Sequence, residues 1–396
     1  MSFFLITFLC LYGSMHAFAF FRMRSLYTPG YATTAILAAW MILMTTAPLL
    51  VRLFERSGMD RIALLIAWPG YIWMGFLFLL VTVLLPMEAI CVINLITKRT
   101  YSFAAEGIMS APATFRLALL IASVASVYAL FEANMIRSEH VSISTDKLPA
   151  GVSKIRIVQV SDIHIGLLLR EKRLERIISA IRDAQPDILV STGDMVDGRL
   201  SREEILPHQI TLASMLSAIP APAGKFAVVG NHEVFAGMGQ SLEFISAAGF
   251  TLLRGESVTL PVGITITGID DPVVTKRDRA GQRPEKALLD SLPDSSFRLL
   301  LKHRPLIPPG SDGRFDLQLS GHVHKGQLFP FNFVVELTHP FPCGTTTTAA
   351  GSQIHVSRGT GTWGPPMRLF ASPEVTVIDL IPSNASQRKT TLSSTN

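Results

Sequence analysis

Residues 155–198, IRIVQVSDIHIGLLLREKRLERIISAIRDAQPDILVSTGDMVDG, decide the fold. Two short apolar runs, Ile155–Val160 and Ile188–Ser191, flank a stretch at 170–184 in which Leu174, Ile177, Ile178 and Ile181 recur at helical spacing. That is the strand, helix, strand rhythm of a parallel unit, with strands apolar enough to be buried on both faces. Each run stops at a short polar turn: Ser161-Asp162-Ile163-His164 after the first and Gly193-Asp194-Met195-Val196-Asp197 after the second.

The arrangement recurs downstream. An apolar run at 226–229 ends in Gly230-Asn231-His232-Glu233, one at 299–301 in Lys302-His303-Arg304, and one at 317–319 in Gly321-His322-Val323-His324. Helices are predicted around 203–218 and 241–248, with further sheet pairing from 263–268 and 375–380. No internal repeat is found. Five strand ends are therefore expected to converge on one site.

Each turn taken alone is explicable as an ordinary polar loop. Their recurrence in one order points instead to metal chemistry. Asp162 and His164, one residue apart, offer a hard oxygen and an imidazole nitrogen, a mixed set suited to Mn, Fe or Zn. Asp194 is the candidate to bridge two cations about 3.5–4 Å apart, and Asp197 the acceptor that orients a histidine. Asn231 supplies an uncharged oxygen ligand, while His232 is the candidate general acid. His303 adds an imidazole, and His322 and His324 alternate along an extended segment, so they can face neighbouring metals.

At these residues the chain resembles the calcineurin-like metallophosphoesterase superfamily, and especially its bacterial membrane-associated branch. The matching segments are SDIHIG, GDMVDG, GNHE, LKHRP and GHVHKGQ, and SRGTGTWGPPMR around Arg358 looks like the closing segment of that branch. The likeness runs from about residue 155 to 380. It implies an α/β fold, the α/β/β/α metallophosphoesterase sandwich. It also implies that Asp162, His164 and His324 hold one divalent ion, that Asn231, His303 and His322 hold another, and that Asp194 bridges them. His232, paired with Asp197, would assist the leaving group after attack by a metal-bridging hydroxide. Val323 and Lys325 stand where related members often carry Thr and Gly, so the likeness does not carry a substrate with it. Arg358 and Arg368 are candidates for a phosphate contact or for structural ion pairs.

The rest of the chain reads differently. Of 396 residues 48% are apolar, and mean hydropathy is +0.38. The excess is concentrated before residue 140, in runs at 3–21, 31–51, 62–87 and 117–131. The first three are long enough to cross a hydrocarbon core of roughly 30 Å, and the fourth needs flanking residues, with Arg116 snorkelling. The first run lacks the basic start of a cleaved signal peptide and is followed by further hydrophobic runs, so it is read as a span. The third run contains Pro69-Gly70 and continues weakly past Glu88 to Ile96, which is consistent with a long, a kinked or a re-entrant helix. No paired charges are expected within the spans, which weighs against a transporter. The expected division is a transmembrane helical domain of about four helices at 1–131, a linker at 132–152, the catalytic domain at 153–382 and a disordered tail at 383–396.

The formal net charge is +5 and the isoelectric point about 9.2, yet basic residues form no run or stripe, so no nucleic-acid partner is expected. Cys10, Cys91 and Cys343 give neither a disulfide framework nor a zinc module. The expected partners are the lipid bilayer and a phosphorylated small-molecule or lipid substrate. The expected location is a bacterial inner membrane. Arg22, Arg24, Lys98, Arg99 and Arg116 on one side outweigh Arg52, Arg56 and Arg61 on the other, which predicts an outward-facing catalytic domain. The rival function is a membrane sensor that holds a phosphorylated headgroup at the metal site without turnover.

Overall fold

A computed structural model describes residues 2–100, 111–198, 200, 212–274 and 282–383. They form two compact units, one of 1–131 with 364–369, the other of 132–363 with 370–396.

The first unit carries four helices, α1 (Ser2–Tyr27), α2 (Tyr31–Arg56), α3 (Asp60–Thr100) and α4 (Ala111–Glu132), each long and apolar enough to cross a membrane. The fourth is longer than its apolar run suggests. Its 22 residues span about 33 Å at 1.5 Å per residue, so the turn from Ala111 to Arg116 supplies the missing length. Two further sequence readings need correction. Arg22 Nε meets Glu88 Oε1 at 2.5 Å, so the helices do contain a charged pair, which lowers the cost of placing each charge there. Residues 364–369, assigned above to the catalytic domain, belong to this unit: Arg368 is fully buried, and its N–H donates to Ala129 O at 2.9 Å. Arg368 is thus enclosed within the fold and not open to a substrate phosphate.

The second unit is a four-layer α/β/β/α sandwich. Its strands are β1 (Arg137–Thr145), β2 (Ile155–Val160), β3 (Ile165–Gly166), β4 (Ile188–Ser191), β5 (Val196–Asp197), β6 (Lys225–Ala227), β7 (Thr251–Leu252), β8 (Glu256–Leu260), β9 (Ile264–Ile269), β10 (Phe297–Lys302), β11 (Leu317–Ser320), β12 (Gly344–Thr347), β13 (Gln353–Val356) and β14 (Glu374–Pro382). One sheet runs β1-β14-β2-β4-β6-β7 and the other β12-β13-β11-β10-β9-β8, with a small β3-β5 ribbon. The helices of the unit are α5 (Glu171–Ala184), α6 (Asn231–Ala236), α7 (Met238–Ala247), α8 (Glu285–Asp290) and α9 (Phe331–Thr338).

The period of two along each strand builds the layers. Ile157, Ile188 and Val190 of the first sheet face Ile266, Leu299, Leu301 and Leu319 of the second, forming the inter-sheet core. The alternate residues Val158, Val160 and Leu189 pack outward on Leu174, Ile177, Ile178 and Ile181 of α5 and on Phe244 of α7. On the far side Leu300 meets Leu289 of α8, and Ile354 and Val356 meet Val335 of α9.

The predicted linker at 132–152 is a correction. Residues Arg137–Thr145 form β1, paired in parallel with all nine residues of β14. The strand looked like a linker because it is an edge with mostly exposed, polar side chains. The helix predicted at 203–218 and the tail at 383–396 fall largely outside the described residues.

Candidate metal centre

Strands β2, β4 and β6 are mutually parallel, as are β9, β10, β11 and β13, so within each sheet the motif-bearing C-terminal ends share an edge. Backbone rungs continue beyond the strands and hold the loops in register. Asp162 N–H donates to Gly193 O at 3.0 Å, His164 N–H to Asp194 O at 3.0 Å, and Gly321 N–H to His303 O at 2.9 Å.

The loops turn sharply. Asp162, His164, Asp194, His322 and His324 all have φ between 48° and 73°, the left-handed region that costs a non-glycine residue roughly 1–2 kcal/mol. Asp and His tolerate it better than most residues, and such clusters mark functional sites. Two glycines admit the close approaches: a Cβ at Gly321 would collide with the Asp162 carboxylate and Ser161 Oγ, and one at Gly230 with the Asp194 carboxylate.

Two groups of ligand atoms result. In the first, His164 Nε2 lies 3.1 Å from His324 Nε2, which is 3.3 Å from Asp162 Oδ1. In the second, His303 Nε2 lies 3.1 Å from each of Asp194 Oδ2, Asn231 Oδ1 and His322 Nδ1. Separations of about 3.0–3.4 Å are the edges of a coordination polyhedron with metal–ligand bonds near 2.1 Å. The proton inventory supports the same fit. His303 Nδ1–H donates to Thr192 O at 2.9 Å, which aims Nε2 at the Asp194, Asn231 and His322 atoms. In the first group two imidazole nitrogens face each other, a pairing in which at most one proton fits.

The electrostatics ask for positive charge. Burial opposes protonation of His303, but Asp194 and Asp162 outweigh it and lift the imidazole to about 10. Burial, then His232, pushes His164 down to about 3, and burial, then His303 and Arg304, does the same to His322, so both stay neutral. Despite burial, the surrounding imidazoles hold Asp162 and Asp194 well below the usual carboxylate range. The ionised carboxylates and the neutral His164 and His322 are in the states that bind a divalent cation, whereas His303 would give up its Nε2 proton on binding.

Beside the two groups, His232 Nδ1 pairs with Asp197 Oδ1 at 2.8 Å, and His232 N–H donates to Asp194 Oδ1 at 2.8 Å. Burial disfavours the imidazolium, but Asp194 and Asp197 prevail and raise His232 to about 9. The His232 and His164 rings stand 4.7 Å apart, so the proton donor borders the first group. All nine residues named from the sequence come together here. Arg358 does not join them: its guanidinium binds Glu374 and, at 2.8 Å, Glu139.

Sequence reasoning missed three contributors. The wholly buried Glu233 carboxylate accepts N–H bonds from Asp194 (3.0 Å), Met195 (2.6 Å), Val196 (3.1 Å) and Gly230 (2.8 Å), clamping the Asp194 loop to the start of α6. Its position three residues after Gly230, as in half of a capping box, was the available signal. Phe235 and Trp363 set their rings 5.6 and 5.7 Å from His232; Trp363 stands in the quoted segment SRGTGTWGPPMR, whereas nothing in the sequence context of Phe235 marks it.

Residues 155–326 match the calcineurin-like phosphoesterase family. An uncharacterized metallophosphoesterase of Aquifex aeolicus is 39% identical over 266 residues, covering 66% of this chain and 98% of that protein. One of Campylobacter jejuni is 32% identical over 271 residues, 67% of this chain and 69% of that protein. A transmembrane protein with metallophosphoesterase domain from Danio rerio is 31% identical over 277 residues, 67% of this chain and 62% of that protein. The chain belongs to the calcineurin-like phosphoesterase family. Its clustered Asp and His side chains could hold metal ions and its four N-terminal helices are long and apolar enough to cross a membrane, features that fit a membrane-associated phosphoesterase of that family.

Proposed function

We propose that this protein is a membrane-anchored hydrolase of phosphodiesters, phosphomonoesters or phosphoanhydrides, with a lipid or lipid-linked nucleotide as the favoured substrate class. The observation that carries the reading is the adjacency of two metal-ligand groups to a carboxylate-paired histidine. Asp162, His164 and His324 would hold one divalent ion, and Asn231, His303 and His322 a second, with Asp194 between them. Two bound cations supply Lewis acidity, activating water and offsetting charge on the phosphoryl oxygens. Asp197 fixes the His232 ring and stabilises its protonated form, so that Nε2 can give a proton to the departing oxygen. A protein that only held a headgroup would have no need of that positioned proton, which favours turnover over sensing.

With four spans the N-terminus and the catalytic unit share one side, and the basic residues after α1 and before α4 favour the outer side of a bacterial inner membrane. A reporter at the C-terminus that is active only inside the cell would reverse this orientation.

The test is phosphate or alcohol release by purified full-length protein, reconstituted in lipid and supplied with Mn, Fe or Zn, across a panel of soluble and lipid phosphoesters. Turnover that Asp194→Asn abolishes is expected. Tight binding of a phosphorylated lipid without release from any of the panel would favour the sensor instead.

A further inference from the structure

The catalytic unit exposes a run of large apolar side chains that its own core does not use. In α9, Phe333, Val334 and Leu337 are exposed, Leu337 by 87%, while Val335 on the opposite side is buried in the unit. At 100° per residue these three exposed side chains share one face, and Asn332 and Glu336, joined by a 3.4 Å hydrogen bond, lie on the flank. The patch extends beyond the helix. Phe329 sets its ring 5.6 Å from Phe333 and 5.7 Å from Phe370, and both Phe329 and Phe370 are exposed.

Its place along the chain says what covers it. Phe370 N–H donates to Glu132 Oε2 at 2.9 Å, and Ser372 Oγ donates to Glu132 Oε1 at 2.7 Å. Glu132 is the last residue of the apolar helix α4 and the first of this unit. The aromatic chain from Phe370 through Phe329 to Phe333 thus starts beside the residue where a membrane-crossing helix ends. Residues 364–369, which immediately precede Phe370 along the chain, belong to the helical unit. Soluble proteins seldom leave contiguous apolar patches of this kind open to water, and aromatic rings favour the water–hydrocarbon boundary.

We propose that α9, with Phe329 and Phe370, is an interfacial membrane helix, its Phe333, Val334 and Leu337 face lying in the acyl and headgroup boundary of a phospholipid bilayer. A short amphipathic helix binds there through its buried apolar area, with its polar flank towards the headgroups. The proposal requires only that α1–α4 span the membrane, and it stands whether or not the metal centre turns over substrate.

The test uses the full chain in liposomes of phosphatidylcholine and phosphatidylglycerol, with the photo-crosslinking residue benzoylphenylalanine placed singly at Phe333 or Leu337. Positions 120 in α4 (native Leu120, 60% exposed) and 294 (native Asp294, fully exposed side chain) serve as the lipid-facing and water-facing references. Illumination is expected to yield phospholipid adducts at 333 and 337 at a level comparable to 120 and several-fold above 294. Adducts at 120 but none at 333 or 337 would overturn the proposal, as would cross-linking of 333 or 337 to a second copy of the chain. Failure at all three positions would overturn it together with the span assignment. Replacement at the 87% exposed Leu337 removes no packing, and a thermal melt matching the parent verifies the fold.

Discussion

Asp197→Asn isolates the proton-transfer pair from the metal ligands. The carboxylate meets His232 Nδ1 at 2.8 Å, and the two side chains are 20% and 10% exposed, so water screens the pair little. A hydrogen bond to a charged group contributes about 1.5–3 kcal/mol. At about 1.4 kcal/mol per factor of ten, losing the charge should slow the step that needs the His232 proton by roughly ten- to 150-fold. The loss should depend on the leaving group: large for aryl phosphoesters with poor leaving groups, small for nitrophenyl esters that depart unaided. Burial opposes the His232 proton, and Asp194 and Asp197 hold it at about 9. A general acid works below its pKa, so the alkaline limb of kcat should move to lower pH in the variant. The assay is a leaving-group series with kcat measured against pH, beside metal analysis of both proteins. An unchanged leaving-group dependence would refute the role of His232. Loss of a metal equivalent would refute the role of Asp197, whose oxygen lies within 4.8 Å of ligand nitrogens on His164 and His232 and would then be a ligand.

Gly321→Ala should drive a methyl into the Asp162 carboxylate and Ser161 Oγ, lowering bound metal by up to one equivalent per chain in elemental analysis with the sandwich still folded by circular dichroism. Glu233→Gln keeps the volume but replaces one acceptor oxygen with a donor facing buried N–H groups, and should cost about 2–4 kcal/mol in denaturant unfolding of the catalytic unit. Glu374 sets the acid stability: burial would raise its carboxyl, but His355 at 3.9 Å and the bound Arg358 hold it at about 2. Because the folded value lies below the unfolded one, its contribution is full above about pH 4.5 and disappears as pH falls through 2. The shift corresponds to about 3 kcal/mol, and Glu374→Gln should flatten that part of the stability profile in urea titrations.

Much of the catalytic unit was legible because its central strands are buried on both faces and therefore read as continuous apolar runs. Ile155–Val160 and Ile188–Ser191 have the bounds expected, and each motif at their ends reports its own ligands. What stayed hidden depends on partners far away in sequence. β1 has no apolar alternation of its own, and it becomes a strand only because Glu374–Pro382, some 237 residues later, offers a parallel edge. Residues 364–369 sit inside a segment that reads as catalytic, yet they belong to the helical unit, and the backbone N–H of the buried Arg368 bonds to Ala129 of α4. Glu233 was visible beside His232, but its four backbone donors come mainly from a loop 37 to 39 residues earlier.

The left-handed backbone at five of the seven ligands was equally out of reach, since no glycine stands at those positions to announce it. Its physical source is geometric. A ligand directly on a strand projects perpendicular to the sheet, whereas the groups centred on His324 and His303 need side chains that turn back across the strand ends. A positive φ at Asp162, His164 and Asp194 makes that turn, and the rungs from Asp162 and His164 to the Gly193–Asp194 loop hold it in place. The loops therefore hold the ligand nitrogens and oxygens near 3 Å apart against backbone strain, with the ionised Asp162 and Asp194 buried among them. A divalent cation offsets that buried negative charge, so binding should stabilise the fold markedly, and chelation should lower the melting temperature of the parent far more than that of an Asp194→Asn variant.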